Sequence, residues 1–256
     1  MIRDPNRIVD ELVSDMRTAF GTHLLGMVLY GSAVSHEFRP GKSDVNIALV
    51  LDDMSVELLE KGGSVLRGWV RRGMAAPLLF TPGYIRTAPA DYPVEFLDLK
   101  HSYRMLFGDD PFSSITISRS GLRRQCRREF VGMVVQLRKE FIRYGDSPQI
   151  LADVLEKTVH ALLPLFKAIV LLHDRKIPNS KTELIAVVED LFGLGASVIS
   201  EVYNRSNGTV TDGSTKGFDR LLRIVENIAE YIGAMPEVPE VPVFSGEESP
   251  LVPVDR

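Results

Sequence analysis

The chain has one cysteine, Cys126, and one tryptophan, Trp69, in 256 residues. A single thiol cannot close an intrachain disulfide, so the core must hold the fold, and a reducing compartment is the economical expectation. Long hydrophobic runs are missing as well: none approaches the roughly 18–20 apolar residues of a membrane span. The nearest run, Ala161–His173, is interrupted by Pro164 and Lys167 and reads as a buried helix. The opening MIRDPNRIVDEL has no apolar core of the kind a secretory signal needs. Together these absences point to a cytoplasmic protein with no membrane partner. The 5 histidines show no metal-ligand spacing, and there is neither a nucleophile elbow nor a Cys/His pair. Gly41-Lys42-Ser43 would end a P-loop, but the glycine that motif needs at position 36 is His36. Net positive charge is also lacking, with 30 Lys and Arg against 34 Asp and Glu and a net charge of −4, which argues against nucleic acid as a partner.

What is present is ordinary in amount and organised in pattern. An apolar content of 45% with 25% charged residues suits a globular chain, and the length allows one large domain or two. Up to about residue 110 the pattern alternates. A helix with Ile8, Val9, Leu12, Val13, Met16 and Phe20 at helical spacing begins after Asp4-Pro5, and strands are expected at 23–30 and 45–51. A helix over 56–72 should bury Leu59, Val65 and Trp69. A short strand at 77–80 and a helix capped by Thr81 follow. Val94–Leu99, flanked by Pro93, reads as a strand whose alternation puts Glu95 on one face and Asp98 on the other. Beyond Pro111 the pattern becomes helical, with apolar residues at 122, 126, 130, 133, 137, 141 and 144, then helices over 148–173, 181–193, 196–203 and 218–232. The fold class expected is an α/β domain with a mixed sheet (1–115), an all-α bundle serving a substrate or partner (116–235), and an extended or disordered tail (236–256).

Chemistry concentrates in Met27–Leu51. A Gly-Ser turn closing a strand, Gly31-Ser32, lets backbone N–H groups and a hydroxyl approach a phosphate closely, because glycine has no side chain in the way. Acids at i and i+2 of a strand share a face and can ligate divalent cations that bridge nucleotide phosphates. The pair here is Asp44 and Asn46, and Glu95 is the candidate third acid. Asn46 is an amide where a second carboxylate would serve the metals. The arginines of the first bundle helix, among them Arg123, Arg124, Arg127 and Arg128, read first as a solvated face and second as a phosphate-binding one.

Leu29-Tyr30-Gly31-Ser32 followed by Ser43-Asp44-Val45-Asn46 resembles the Gly-Ser…Asp-x-Asp signature of the DNA polymerase beta-like nucleotidyltransferase superfamily, with the flavour of its small bacterial, aminoglycoside nucleotidyltransferase-like members. Val94–Leu99 looks like the strand bearing that family's third acid, and Met105–Gly108 like the segment after it. The resemblance covers about residues 24–110. It implies Mg²⁺-dependent transfer of a nucleoside monophosphate from a nucleotide triphosphate to a small-molecule or protein acceptor. In that reading Asp44 and Glu95 are catalytic, Gly31, Ser32 and Lys42 hold the nucleotide, and Asp44, Asn46 and Glu95 face the metal, with Asp98 the substitute for Glu95. The departure at Asn46 removes one negative charge from the metals. It raises two alternatives: a catalytically impaired nucleotide-binding member of the fold, or an interaction module of the toxin–antitoxin kind; an oligomer is compatible with each.

Overall fold

The computed structural model describes residues 2–35, 38–41, 43–195, 197–205, 215–236 and 242–244. Lys42, the loop 206–214 and most of the tail lie outside the described residues. The chain divides into two compact units, one built from residues up to Asp91 with Asp98–Ile117, the other from Tyr92–Leu97 with Ser118–Val243.

In the first unit Asp4 caps a 3-10 turn, its Oδ1 accepting the Asn6 N–H at 2.9 Å, and helix α1 (Val9–Phe20) follows with Leu12, Met16 and Phe20 buried. Strand β1 (Leu24–Tyr30) pairs antiparallel with β2 (Asn46–Leu51), and β2 pairs in parallel with β3 (Leu78–Phe80). Between β2 and β3 runs helix α2 (Val56–Arg72), capped by Ser55, with Leu58 rather than Leu59 turned inward beside Trp69. Thr81 caps the short helix α3 (Pro82–Thr87) as expected. Alternate residues of the central strands, Met27 and Leu29 with Ile47, Leu49 and Leu51, join α1 and α2 in one core cluster. The opposite alternation, Val28, Tyr30, Asn46 and Ala48, therefore lies on the other face of the sheet.

Two elements differ from expectation. The stretch expected as the strand Val94–Leu99 is helix α4 (Pro93–His101), and the strand pairing with the free side of β1 is β4 (Tyr103–Gly108). The sheet order is β3-β2-β1-β4, a mixed sheet. A short apolar run does not separate a strand from a buried helix. What decides it is burial at Val94, Phe96, Leu97 and Leu99 with exposure at Glu95 and partial exposure at Asp98, an i, i+3 relation that only a helix puts on one side. The side chain of Gln125 also caps α4, its Oε1 accepting the Val94 N–H at 2.9 Å. At the far end Lys100, 3% exposed, donates to the Ile115 carbonyl at 3.0 Å.

The second unit is helical. After the two-residue strand β5 (Ile117–Ser118) come α5 (Arg119–Tyr144), α6 (Pro148–Leu172), α7 (Lys181–Leu191), α8 (Val198–Arg205) and α9 (Thr215–Ala234). Ser180 caps α7 through the Glu183 N–H, as the capping-box spacing implies. His160 is exposed, while the His173 ring and the Tyr231 hydroxyl share a hydrogen bond at 3.0 Å. In the tail, Pro242–Phe244 is a strand, β6, paired with β5. No described helix is long and apolar enough to cross a membrane.

Candidate nucleotide site

The first unit brings Gly31, Ser32, Asp44 and Asn46 together at one end of β1 and β2. Gly31 has φ +71°, a left-handed conformation that costs any other residue strain. It opens a 3-10 turn, Gly31–Val34, immediately after β1. The amide of Asn46 stands against this turn: a Cβ at Gly31 would lie 3.2 Å from Asn46 Nδ2. Asn46 is cross-strand partner to Tyr30, and Tyr30 is also partner to Tyr103 on its other side. Directly paired residues share a face, so these three side chains rise on the sheet face opposite α1 and α2. Asp44 precedes Asn46 by two and is exposed. The Gly31 N–H is already committed, donating to the Ser102 carbonyl at 3.0 Å. A phosphate would therefore meet the N–H groups and the hydroxyl that follow Gly31, not Gly31 itself.

Glu95 does not join this group on a strand. It belongs to the second unit, and its Oε2 accepts from Gln125 Nε2 at 2.7 Å. The strand beside β2 carries Leu78, Leu79 and Phe80 in register with Ala48, Leu49 and Val50, so it supplies no carboxylate either. Asp98, in the first unit, does act on this end of the sheet. The Tyr30 hydroxyl is pushed up to about 12, by burial first and by the charge of Asp98 second. Tyr103 is raised further, through burial and its 2.7 Å hydrogen bond to Asp110. Tyr30, Ser102 and Gln125 were not singled out by sequence reasoning. A tyrosine closing a strand and a glutamine inside a helical stripe carry no motif, and only the tertiary contacts give them a role.

Tyr30 gives a pH prediction. Its folded-state pKa of about 12 lies above the unfolded value of 10.0. Its contribution to stability is thus complete below about pH 10 and lost as pH rises towards 12. Asp98→Asn should bring the ionisation down by part of the shift, since burial, the larger cause, remains. Tyrosinate absorbance of each protein minus that of its Tyr30→Phe counterpart checks this, and an unchanged midpoint would separate Asp98 from Tyr30.

A two-metal centre needs clustered carboxylates. Among the described residues no three of His, Cys, Asp and Glu cluster to hold a metal ion. One exposed carboxylate, Asp44, beside one amide, Asn46, does not supply the charge that two Mg²⁺ ions need. The expected Mg²⁺ set of Asp44, Asn46 and Glu95 therefore does not fit. The arginines of α5 have internal partners in part: Arg123 donates to the carbonyls of Gly233 and Met235, and Arg138 to Glu226 at 2.8 Å.

No family model matches the chain, and no curated protein does. Among solved structures it is similar to spectinomycin adenyltransferase AAD(9) from Enterococcus faecialis, crystallised with ATP and spectinomycin. The TM-score is 0.56 at 11% identity, covering 88% of this chain and 99% of that one. At such identity the likeness concerns the fold: a nucleotidyltransferase-like α/β domain with a mixed sheet, followed by a helical part.

Proposed function

We propose that the first unit binds a nucleoside triphosphate at the Gly31–Val34 turn, and that the chain is a nucleotide-binding member of the nucleotidyltransferase fold in which two-metal transfer is lost. The observation that carries this is Asn46 Nδ2 set against Gly31, where a metal-bridged reading needs a carboxylate. A carboxylate beside a triphosphate needs a cation between them, whereas an amide N–H₂ donates to a phosphate oxygen directly. In this reading Asn46 and the Ser32 hydroxyl hold the phosphates, Tyr30 stays protonated as a further donor, and Asp98 replaces Glu95 as the nearby acid. Lys42, two residues before Asp44 in the sequence, is a further candidate cation for the phosphates. The ATP in the AAD(9) structure supports the nucleotide, and its spectinomycin supports a small molecule as second ligand.

Calorimetric titration with ATP, once with Mg²⁺ and once with a chelator, tests the reading. Binding at micromolar to sub-millimolar affinity is expected, differing less than about threefold between the two conditions, that is by well under 1.4 kcal/mol. No heat at millimolar ATP removes the nucleotide site. Strictly Mg²⁺-dependent binding, with transfer to an acceptor at an enzyme's ordinary rate of about 1 s⁻¹ or more, would reinstate the metal-dependent transferase.

A further inference from the structure

Helix α5 buries one apolar stripe, and a second row, mixed aliphatic and arginine, faces solvent apart from the ion pair of Arg138 with Glu226. Leu122, Cys126, Phe130, Val134 and Leu137 are buried within the second unit. On another side of the helix Arg124, Arg128, Val131, Val135, Arg138 and Ile142 follow one another at spacings of 4, 3, 4, 3 and 4. That is the a/d repeat of a helix–helix seam, here about 27 Å long and facing solvent. Its aliphatic members are 49%, 47% and 85% exposed at Val131, Val135 and Ile142. Single exposed aliphatics need no explanation, but three along one seam do, and two of them, Val135 and Ile142, line a shallow depression of about 400 Å³. Lys139 and Arg143 line that depression as well. A Cβ at Gly132, one position past Val131, would meet nothing within 4 Å, which leaves room for close approach.

We infer that this face docks an acidic amphipathic helix of a partner protein, with aliphatic residues at its own a and d positions and carboxylates beside them. Charge decides among the occupants. A second copy would bring arginine seam onto arginine seam, which repels. The stripe holds no aromatic ring for bases to stack on, so single-stranded nucleic acid is poorly served. An aliphatic centre rimmed by Arg and Lys is complementary to an acidic helix laid along it. The inference does not depend on the nucleotide reading, because it uses other residues in the other unit.

The test uses the full chain and a fluorescein-labelled synthetic peptide of four heptads, with Leu at a and d and Glu at e and g. Fluorescence anisotropy should show micromolar binding, weakened at least tenfold by Val135→Glu or Ile142→Glu, with thermal unfolding and ATP titration unchanged. The double variant Lys139→Glu/Arg143→Glu, which leaves the Arg138–Glu226 pair intact, should lose this peptide and gain one carrying Lys at e and g. A scrambled peptide of the same composition binding equally well would overturn the inference, as would insensitivity to Ile142→Glu. So would Ile142-dependent binding of phosphatidylglycerol vesicles or of single-stranded RNA without peptide binding, or Ile142-dependent self-association in sedimentation. Binding seen only after removal of residues 245–256 would assign the face to the chain's own tail instead.

Discussion

Asn46→Asp is expected to make nucleotide binding depend on Mg²⁺, reversing the behaviour of the parent protein. In the parent, the amide at position 46 lies over Gly31, 3.2 Å from where a Cβ would be, and it can donate to a phosphate without a cation. Aspartate has nearly the same shape and keeps the partnership with Tyr30 in the sheet. It exchanges a donor for a full negative charge two residues from Asp44, on the same strand face. Without metal, that charge opposes a triphosphate. At a partly exposed site the penalty should be about 1–3 kcal/mol, so affinity for ATP in chelator should fall roughly tenfold to a hundredfold. With Mg²⁺ the paired carboxylates gain a cation to share, and affinity should recover to the parent level or beyond. The check is the ATP titration of both proteins in both conditions. If the variant binds ATP as the parent does in chelator, position 46 does not face the phosphates, and the proposed site moves elsewhere.

Gly108→Ala should cost the most stability. Gly108 ends β4 at φ +77°, and it is cross-strand partner to Gly26. A Cβ there would lie 2.0 Å from the Leu25 carbonyl oxygen and 3.0 Å from Gly26 Cα, both backbone atoms. No side-chain rotation relieves such a contact, so β4 must shift away from β1 or the end of the strand must change conformation. The left-handed conformation alone costs an alanine roughly 1–2 kcal/mol. Loss of strand pairing adds to this, and the total should reach about 3–5 kcal/mol. Urea unfolding would show it as a lower midpoint at nearly unchanged slope. The effect should be far larger than at Gly68, where a Cβ meets nothing within 4 Å. Equal midpoints for Gly108→Ala and Gly68→Ala would mean the β1–β4 edge yields without cost.

Much of the scaffold was legible because its signals are local. Asp4-Pro5, Ser55, Thr81-Pro82 and Ser180 each begin a helix through a side chain that meets a backbone N–H two or three residues on. The apolar runs at 24–30 and 46–51 could bury two faces only as central strands, and they do so. The Gly31 turn was legible for the same reason, since a glycine after an apolar run is the usual way to reach a positive φ. Val94–Leu99 was not. Its alternation Val-Glu-Phe-Leu-Asp-Leu satisfies a strand locally, and the helix forms because Gln125, distant in sequence, satisfies the Val94 N–H while surrounding elements bury nearly every side. That single difference puts Glu95 on a helix, hydrogen-bonded to Gln125, rather than on a strand of the sheet.

By itself, then, the sequence determined the elements whose caps and periodicities are contained within a few residues, the mixed sheet's two central strands, and the meeting of Gly31 with Asn46 at their ends. The tertiary structure decided where the acids lie. A carboxylate's neighbours depend on how elements pack, and packing placed Asp98 near Tyr30, left β3 without an acid, and gave Glu95 to Gln125. The buried stripe of α5 was legible in the sequence through Leu122, Cys126, Phe130 and Leu137, and packing only adjusted it, burying Val134 rather than Met133.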